Sequence, residues 1–104
     1  MVPKKIRNVI NKFKRELKKA DFPRVSAYIF GSYARNEASK DSDIDVCLVS
    51  KFFIRGKERY RKTAVVIAYN TDPRLQVVLA LPNEIRASSL SPLFSNIYKE
   101  SIAA

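Results

Sequence analysis

Residues 25–50 read VSAYIFGSYARNEASKDSDIDVCLVS, and this stretch decides the fold. It begins and ends with runs rich in β-forming residues, 25–30 and 43–50, which we predict to be strands. Gly31 and Ser32 end the first run, and a polar segment of about a dozen residues leads to the second. This link is too long for a tight hairpin, but its length suits a loop that carries a functional site.

Two longer segments outside this stretch are predicted to be helices. Residues 4–19 have one apolar stripe with a helical period, which consists of Ile6, Val9, Ile10, Phe13 and Leu17. Residues 57–69 end in TAVVIAY, which alone would suit a strand. With the charged first half included, a helical stripe emerges, made of Tyr60, Thr63, Ala64, Ile67 and Ala68.

The rest of the chain adds a strand and two helices. Residues 74–81 are predicted to form the third strand, and Pro82 opens a short helix. Residues 93–99 are predicted to form the last helix, whose apolar set is Leu93, Phe94, Ile97 and Tyr98. The order predicts an α/β fold, with a small mixed sheet of three or more strands and helices packed on it. We expect residues 1–104 to form a single domain.

The composition points to a soluble cytoplasmic protein. Apolar residues make up 46% of the chain, and no apolar run approaches the roughly 20 residues that cross a bilayer. The charged N-terminal segment is unlike a signal peptide. Cys47 is the single cysteine, which excludes an internal disulfide, and we expect it to be a buried, inert thiol.

The charge is strongly basic, with 20 Lys and Arg against 10 Asp and Glu and a net charge of +10. This balance favours anionic partners, such as nucleotides, nucleic acid or an acidic protein. The alternative is a solvated basic surface. Any contact with nucleic acid would be non-specific and salt-dependent, and its candidate residues are Lys4, Lys5, Arg7, Lys12, Lys14, Arg15, Lys18, Lys19, Arg55, Lys57, Arg59, Arg61 and Lys62.

Gly31 and Ser32 are candidates for a phosphate seat. The sequence contains only two glycines, and Gly31 stands where a strand ends and the chain must turn. Backbone amides after such a turn, together with the Ser32 hydroxyl, can bind phosphate oxygens. The alternative is a plain turn with no ligand.

Asp43 and Asp45 are candidate metal ligands. Residues i and i+2 of a strand point to the same face, about 6.6 Å apart, where two carboxylates can bind a divalent cation. The alternative places Asp43 in the loop, with both carboxylates solvated. An EF-hand is excluded because Val46 and Phe52 stand where its Gly and Glu are needed, and a Walker-type loop lacks its glycines and lysine.

Taken together, Gly31-Ser32 and Ser42-Asp43-Ile44-Asp45-Val46 resemble the signature of the DNA polymerase β-type nucleotidyltransferase superfamily. The short chain and its closing segments, DPRLQVVLALPNEI and SPLFSNIYKESI, are similar to the minimal nucleotidyltransferases, which often pair with a helical HEPN-domain protein as toxin and antitoxin. The resemblance implies that Asp43 and Asp45 are catalytic and hold Mg²⁺. It implies that Gly31 and Ser32 bind the β- and γ-phosphates of a nucleoside triphosphate.

The resemblance also implies roles for two basic residues, and the sequence departs from the family pattern at one position. Arg35 and Lys40 are expected to help neutralise the triphosphate, with solvated loop charges as the alternative. The family usually takes a third carboxylate from a later strand, and Gln76 stands at that position. Glutamine can bind a metal through its carbonyl oxygen, but it cannot accept a proton. Neither Asp72 nor Glu84 is well placed to replace it.

Two functions therefore remain open. The first is an Mg²⁺-dependent nucleotidyltransferase that transfers AMP from ATP to a protein acceptor and serves as the antitoxin of a HEPN-type pair. The second is a nucleotide-binding antitoxin with weak or no catalysis, which acts by direct contact with its partner. Gln76 counts towards the second, because it bears on the second metal and on the general base. The alternative is that a partner chain or the acceptor itself supplies the missing group.

Overall fold

The computed structural model describes residues 2–104. The order of elements agrees with the prediction and adds a short C-terminal strand: α1 (Lys4–Lys19), β1 (Ser26–Phe30), β2 (Ile44–Val49), α2 (Lys57–Thr71), β3 (Leu75–Ala80), α3 (Pro92–Glu100) and β4 (Ile102–Ala103). Single 3₁₀ turns follow the first three strands, at Gly31–Tyr33, Lys51–Ile54 and Pro82–Glu84. The short helix expected after Pro82 is the last of these turns.

The four strands form one mixed sheet in the order β3-β2-β1-β4. β1 pairs antiparallel with β2 and with β4, whereas β2 and β3 pair parallel. A parallel pair needs a crossover connection, which α2 supplies between these two strands. The predicted small mixed sheet of an α/β fold is therefore confirmed.

Helices cover both faces of the sheet. α1 and α2 pack on one face, where the alternate β2 residues Ile44, Val46 and Leu48 are fully buried. α3 packs on the opposite face, where Ile97 joins a smaller cluster with Cys47 and Ala80. Because side chains alternate along a strand, the second face also receives Asp45, at the open end of β2.

The apolar stripes predicted for the helices are confirmed in most positions. In α1 the residues Ile6, Ile10, Phe13 and Leu17 are buried, as expected for the core side of an amphipathic helix. Three residues of the predicted stripes are instead exposed: Thr63 of α2, and Leu93 and Tyr98 of α3. α2 packs on the sheet through Ala64 and Ala68, and α3 through Ile97, so the stripe residues to either side of these contacts stay in solvent.

Cys47 is fully buried in the second cluster, as predicted. Burial raises the pKa of its thiol to about 12, so the thiol stays protonated and unreactive at neutral pH. None of the helices in the described part of the chain combines the length and the apolar content that crossing a membrane requires.

Candidate functional site

The turn at Gly31 brings the chain against the Asp45 side chain. Gly31 has a φ of 73°, in the left-handed region that glycine adopts without a steric penalty. A Cβ built on it would lie within 3.0 Å of the Asp45 carboxyl carbon and would overlap with a carboxylate oxygen. Only glycine therefore allows the backbone to approach this carboxylate so closely.

Asp45 lies on the inner strand β2, at the edge of the sheet where β1 ends. Its neighbour on β1 is Phe30, the residue before Gly31, and its neighbour on β3 is Gln76. Neighbouring strands lie about 4.8 Å apart, and residues in parallel register point to the same face. The Gln76 side chain is therefore exposed beside Asp45, on the α3 side of the sheet.

Asp43 lies just before β2 and is exposed, whereas Asp45 is half-buried. Desolvation raises the pKa of Asp45, and the negative charge of Asp43 raises it further. The nearby Arg35 guanidinium has the opposite, smaller effect on this pKa. Asp45 therefore lies within electrostatic reach of both the Asp43 carboxylate and the Arg35 guanidinium.

The loop after β1 is folded back on itself by its own hydrogen bonds. The Gly31 carbonyl accepts hydrogen bonds from the amides of Ala34 and Arg35, both at 3.1 Å, and the Ser32 carbonyl accepts one from Glu37 at 2.9 Å. Ser32 is half-buried in the 3₁₀ turn. The turn therefore has a defined shape next to the two carboxylates.

The two basic candidates differ in their surroundings. Arg35 forms ion pairs with Glu37, at 3.0 Å, and with Glu100 at the end of α3, at 3.5 Å. The Lys40 side chain is exposed and has no ion pair or hydrogen bond among the described residues. The structure thus brings Arg35 near Asp45 and leaves Lys40 at the rim of the loop.

Arg74 is a positioning residue that the sequence reasoning missed. Its guanidinium is paired with Asp72, with an Nη2–Oδ2 distance of 2.8 Å, and its Nη1 donates to the Lys40 carbonyl at 3.2 Å. The Arg74 carbonyl accepts from the Ile44 amide at 2.8 Å, between the two aspartates. The signal was the Asp72-Pro73-Arg74 turn, in which an Asp accepts a hydrogen bond from the amide two residues on.

Neither of the other nearby acids is free to serve as a third ligand. Hydrogen bonds from Arg74 lower the pKa of Asp72 and hold its carboxylate in that pair. Glu84 accepts from the Leu81 amide at 2.8 Å and pairs with Lys57, beyond the far end of β3. Within residues 2–104, no three Asp, Glu, His or Cys side chains are grouped to hold a metal ion.

The donors that are present nevertheless fit magnesium. Mg²⁺ prefers oxygen ligands and is commonly bound by one or two carboxylates together with substrate phosphates. Asp43 and Asp45 offer the carboxylates, and Gln76 offers an amide oxygen on the same face. The like-charge repulsion that raises the pKa of Asp45 is also what a bound cation would relieve.

Comparison with known proteins identifies the family. The model of the nucleotidyltransferase domain family matches residues 6–102, almost the whole chain. The crystal structure of a "putative nucleotidyltransferase" from Sulfolobus solfataricus superimposes with a TM-score of 0.55 at 20% identity, covering 94% of this chain and 83% of that chain. No curated protein sequence shows significant similarity. This chain belongs to the nucleotidyltransferase domain family, whose activity is nucleotidyl transfer and whose members generally use a nucleoside triphosphate and a divalent metal.

Proposed function

We propose that Asp43 and Asp45 hold Mg²⁺ together with the phosphates of ATP, and that the chain transfers AMP from ATP to a protein acceptor. The observation that carries this proposal is the contact between the Gly31 backbone and the Asp45 carboxylate. It puts the glycine-serine turn beside one carboxylate of the pair, and binding of a metal-bound triphosphate requires such a neighbourhood of phosphate-binding amides and metal ligands.

Each residue has a part in this proposal. The turn at Gly31 and Ser32 binds the β- and γ-phosphates, and Arg35, with a smaller contribution from Lys40, neutralises their charge. Magnesium supplies charge stabilisation at the reacting phosphate when it is bound. Transfer forms a bond between the acceptor oxygen and the α-phosphorus and breaks the bond to the β-phosphate oxygen, so pyrophosphate leaves.

The acceptor proton is the difficult step. Asp43 and Asp45 are committed to the metal, and Gln76 cannot accept a proton. The proton therefore goes to water or to a group that the acceptor protein provides. We propose that this acceptor is a small helical protein of the HEPN class, for which this chain is the antitoxin; the choice rests on the resemblance of the sequence to minimal nucleotidyltransferases.

A second function is favoured by the position of Gln76. It lies beside Asp45 where a third acid would complete the site, and no other acid of the described chain takes its place. On this proposal the chain binds Mg-ATP but transfers slowly or not at all, and it inhibits its partner by direct contact alone.

One experiment separates the two functions. ATP labelled at the α-phosphate is incubated with Mg²⁺, this protein and the product of the adjacent reading frame as the candidate partner, and labelled protein is measured. Transfer predicts label on the partner that is lost in the Asp43→Asn/Asp45→Asn variant. The matched control is Asp41→Asn/Glu58→Gln, which removes two exposed acids outside the carboxylate pair and should label the partner normally.

The opposite result overturns transfer. If no label appears on the partner, and the Asp43→Asn/Asp45→Asn variant inhibits the partner as well as the unmodified protein does, inhibition works by contact. Binding of Mg-ATP, measured by calorimetry in the same variants, then shows whether the nucleotide site is retained.

A further inference from the structure

A groove lies between the C-terminal half of α1 and the segment of residues 22–25 that leads into β1. Its volume is about 540 Å³, within the range of ligand-sized cavities. Four basic side chains line it, those of Lys14, Arg15, Lys18 and Arg24, above a partly apolar floor that includes Phe22 and Pro23. We refer to it as the α1 groove.

The end of α1 creates this groove. Asp21 adopts a left-handed conformation with a φ of 56°, which Asp tolerates better than most residues. The Phe22 amide donates to the Leu17 carbonyl and the Asp21 amide to the Lys18 carbonyl, both at 3.1 Å, in the pattern of a Schellman motif. The chain therefore reverses, and residues 22–25 run back beside the last turns of the helix.

Helical spacing gathers the positive charge on one side. Lys18 lies one helical turn after both Lys14 (i, i+4) and Arg15 (i, i+3), so it is a surface neighbour of each, and all three side chains line the groove. Lys14 Nζ donates to the Ala104 carbonyl at 3.0 Å, which leaves two of its three donors for a ligand. None of the four basic side chains has an acidic partner among the described residues, and the one acid of α1, Glu16, pairs with Lys19.

The charge of the groove and its aromatic floor indicate which class of partner it binds. An amphipathic helix that binds membranes needs a free apolar face, but the apolar stripe of α1 is buried in the core of this protein. Closely spaced cations over apolar and aromatic groups suit a chain of phosphates that carries flat bases. We propose that the α1 groove binds the phosphate backbone of single-stranded nucleic acid, with about four phosphate contacts.

This proposal concerns a site separate from the one that holds the nucleotide. The groove lies before the first residue of β1, and Gly31 lies after the last one. Val25 and Gly31 are six steps apart along the chain, which at about 3.3 Å per step is about 20 Å, more than twice the screening length at physiological salt. The two sites can therefore be tested independently.

The test is binding of a fluorescent single-stranded 20-mer by anisotropy over a series of salt concentrations. With about four contacts, the logarithm of the binding constant should fall against the logarithm of the salt concentration with a slope of about −3. Lys14→Gln/Arg15→Gln/Lys18→Gln should weaken binding at least tenfold and bring the slope to about −1. The same variant should bind Mg-ATP as the unmodified protein does.

Matched controls decide the outcome. Lys51→Gln/Arg55→Gln/Lys62→Gln removes the same charge from exposed side chains outside the groove, and it should bind the 20-mer almost normally. An equal loss in both variants would overturn the proposal, because binding would then follow net charge alone. Competition by polyglutamate as effective as that by the unlabelled 20-mer, or tighter binding to anionic vesicles than to the 20-mer, would also overturn it. Circular dichroism and urea unfolding verify that both variants fold.

Discussion

At one end of β1 the chain turns at Gly31 against the carboxylate of Asp45, whereas at the other end four basic side chains line an open groove. The first site is built by the backbone, through a left-handed glycine and the register of the strands. The second is built by long exposed side chains on a helix. We therefore expect single substitutions to have large, position-specific effects at the acidic end and small, additive effects at the basic end.

Gly31→Ala should break the acidic end most completely. A left-handed conformation costs a non-glycine residue about 1–2 kcal/mol, and the added Cβ would also displace the Asp45 carboxylate. We expect lower stability to urea, and Mg-ATP binding weaker by about 100-fold, a loss typical of disturbed metal-site positioning. Calorimetric titration measures the binding.

The matched control for this change is Gly56→Ala. Gly56 has the same φ of 73°, but the nearest atom to its added Cβ would be the end of the flexible Arg59 side chain, at 3.8 Å. It should lose similar stability and keep normal Mg-ATP binding. If the two variants bind Mg-ATP equally well, the close approach of Gly31 to Asp45 has no role in binding.

Gln76→Glu should sharpen the acidic end by adding a third carboxylate beside Asp45 at nearly constant side-chain size. We expect Mn²⁺ or Mg²⁺ to bind about tenfold more tightly, because ligand charge raises the affinity of oxygen sites for divalent cations. Labelling of the acceptor should also increase, since a base becomes available. Asn8→Asp, which adds one negative charge on the outer surface of α1, should change neither quantity.

The pH dependence of stability should have opposite signs at two aspartates. The pKa of Asp45 is raised in the folded protein, so its ionisation disfavours the fold, and this cost appears as pH rises through its folded pKa. The pKa of Asp72 is lowered by its hydrogen bonds with Arg74, so the ionised Asp72 stabilises the fold above the unfolded pKa of 3.8. This stabilisation is lost as the pH falls through the folded pKa of Asp72.

Urea unfolding of the metal-free protein tests these two opposite pH dependences. It is measured from about pH 3 to about pH 7, which covers the range in which carboxylates titrate. At pH 7 Asp45→Asn should be more stable than the unmodified protein, and Asp72→Asn should be less stable. Both differences should shrink towards the acidic end of the range. A destabilised Asp45→Asn variant at pH 7 would mean that the carboxylate is held by favourable contacts.

Substitutions of the two basic loop residues should have the smallest effects, and of these Arg35→Gln should have the larger, although its side chain is exposed and already shared between Glu37 and Glu100. Exposed ion pairs contribute about 0–1 kcal/mol, so stability should hardly change, and ATP affinity should fall a few-fold at low salt. Lys40→Gln should reduce affinity less, since it lies at the rim. Unchanged ATP affinity at low salt in Arg35→Gln would place this residue outside the site.

Local patterns in the sequence predicted much of the fold. The stripe from Ile6 to Leu17 repeats along one helix, and the strands at 25–30 and 43–50 are runs of β-forming residues, so neighbouring residues alone reveal them. The C-terminal strand was missed. Its two residues, Ile102 and Ala103, are held by pairing with β1 from the opposite end of the chain, which leaves no periodic signal.

The candidate site divides in the same way. Gly31, Asp43 and Asp45 stood out because glycine is rare in this chain and aspartate is unusual in a strand. Gln76 could be placed only by resemblance, because its position beside Asp45 depends on the register of a parallel pair formed across α2. Arg74 was overlooked, since its bond to the loop near Lys40 joins residues 34 positions apart.

By itself, the sequence determined which residue types are available: two carboxylates after a glycine-serine turn, no third acid at Gln76, and an excess of positive charge. The tertiary structure alone decided how they are grouped. It brought Gly31 against Asp45 and selected four of the 20 basic residues for one groove. The physical reason is that composition and period are local properties, whereas register and chain reversal are set by contacts between distant segments.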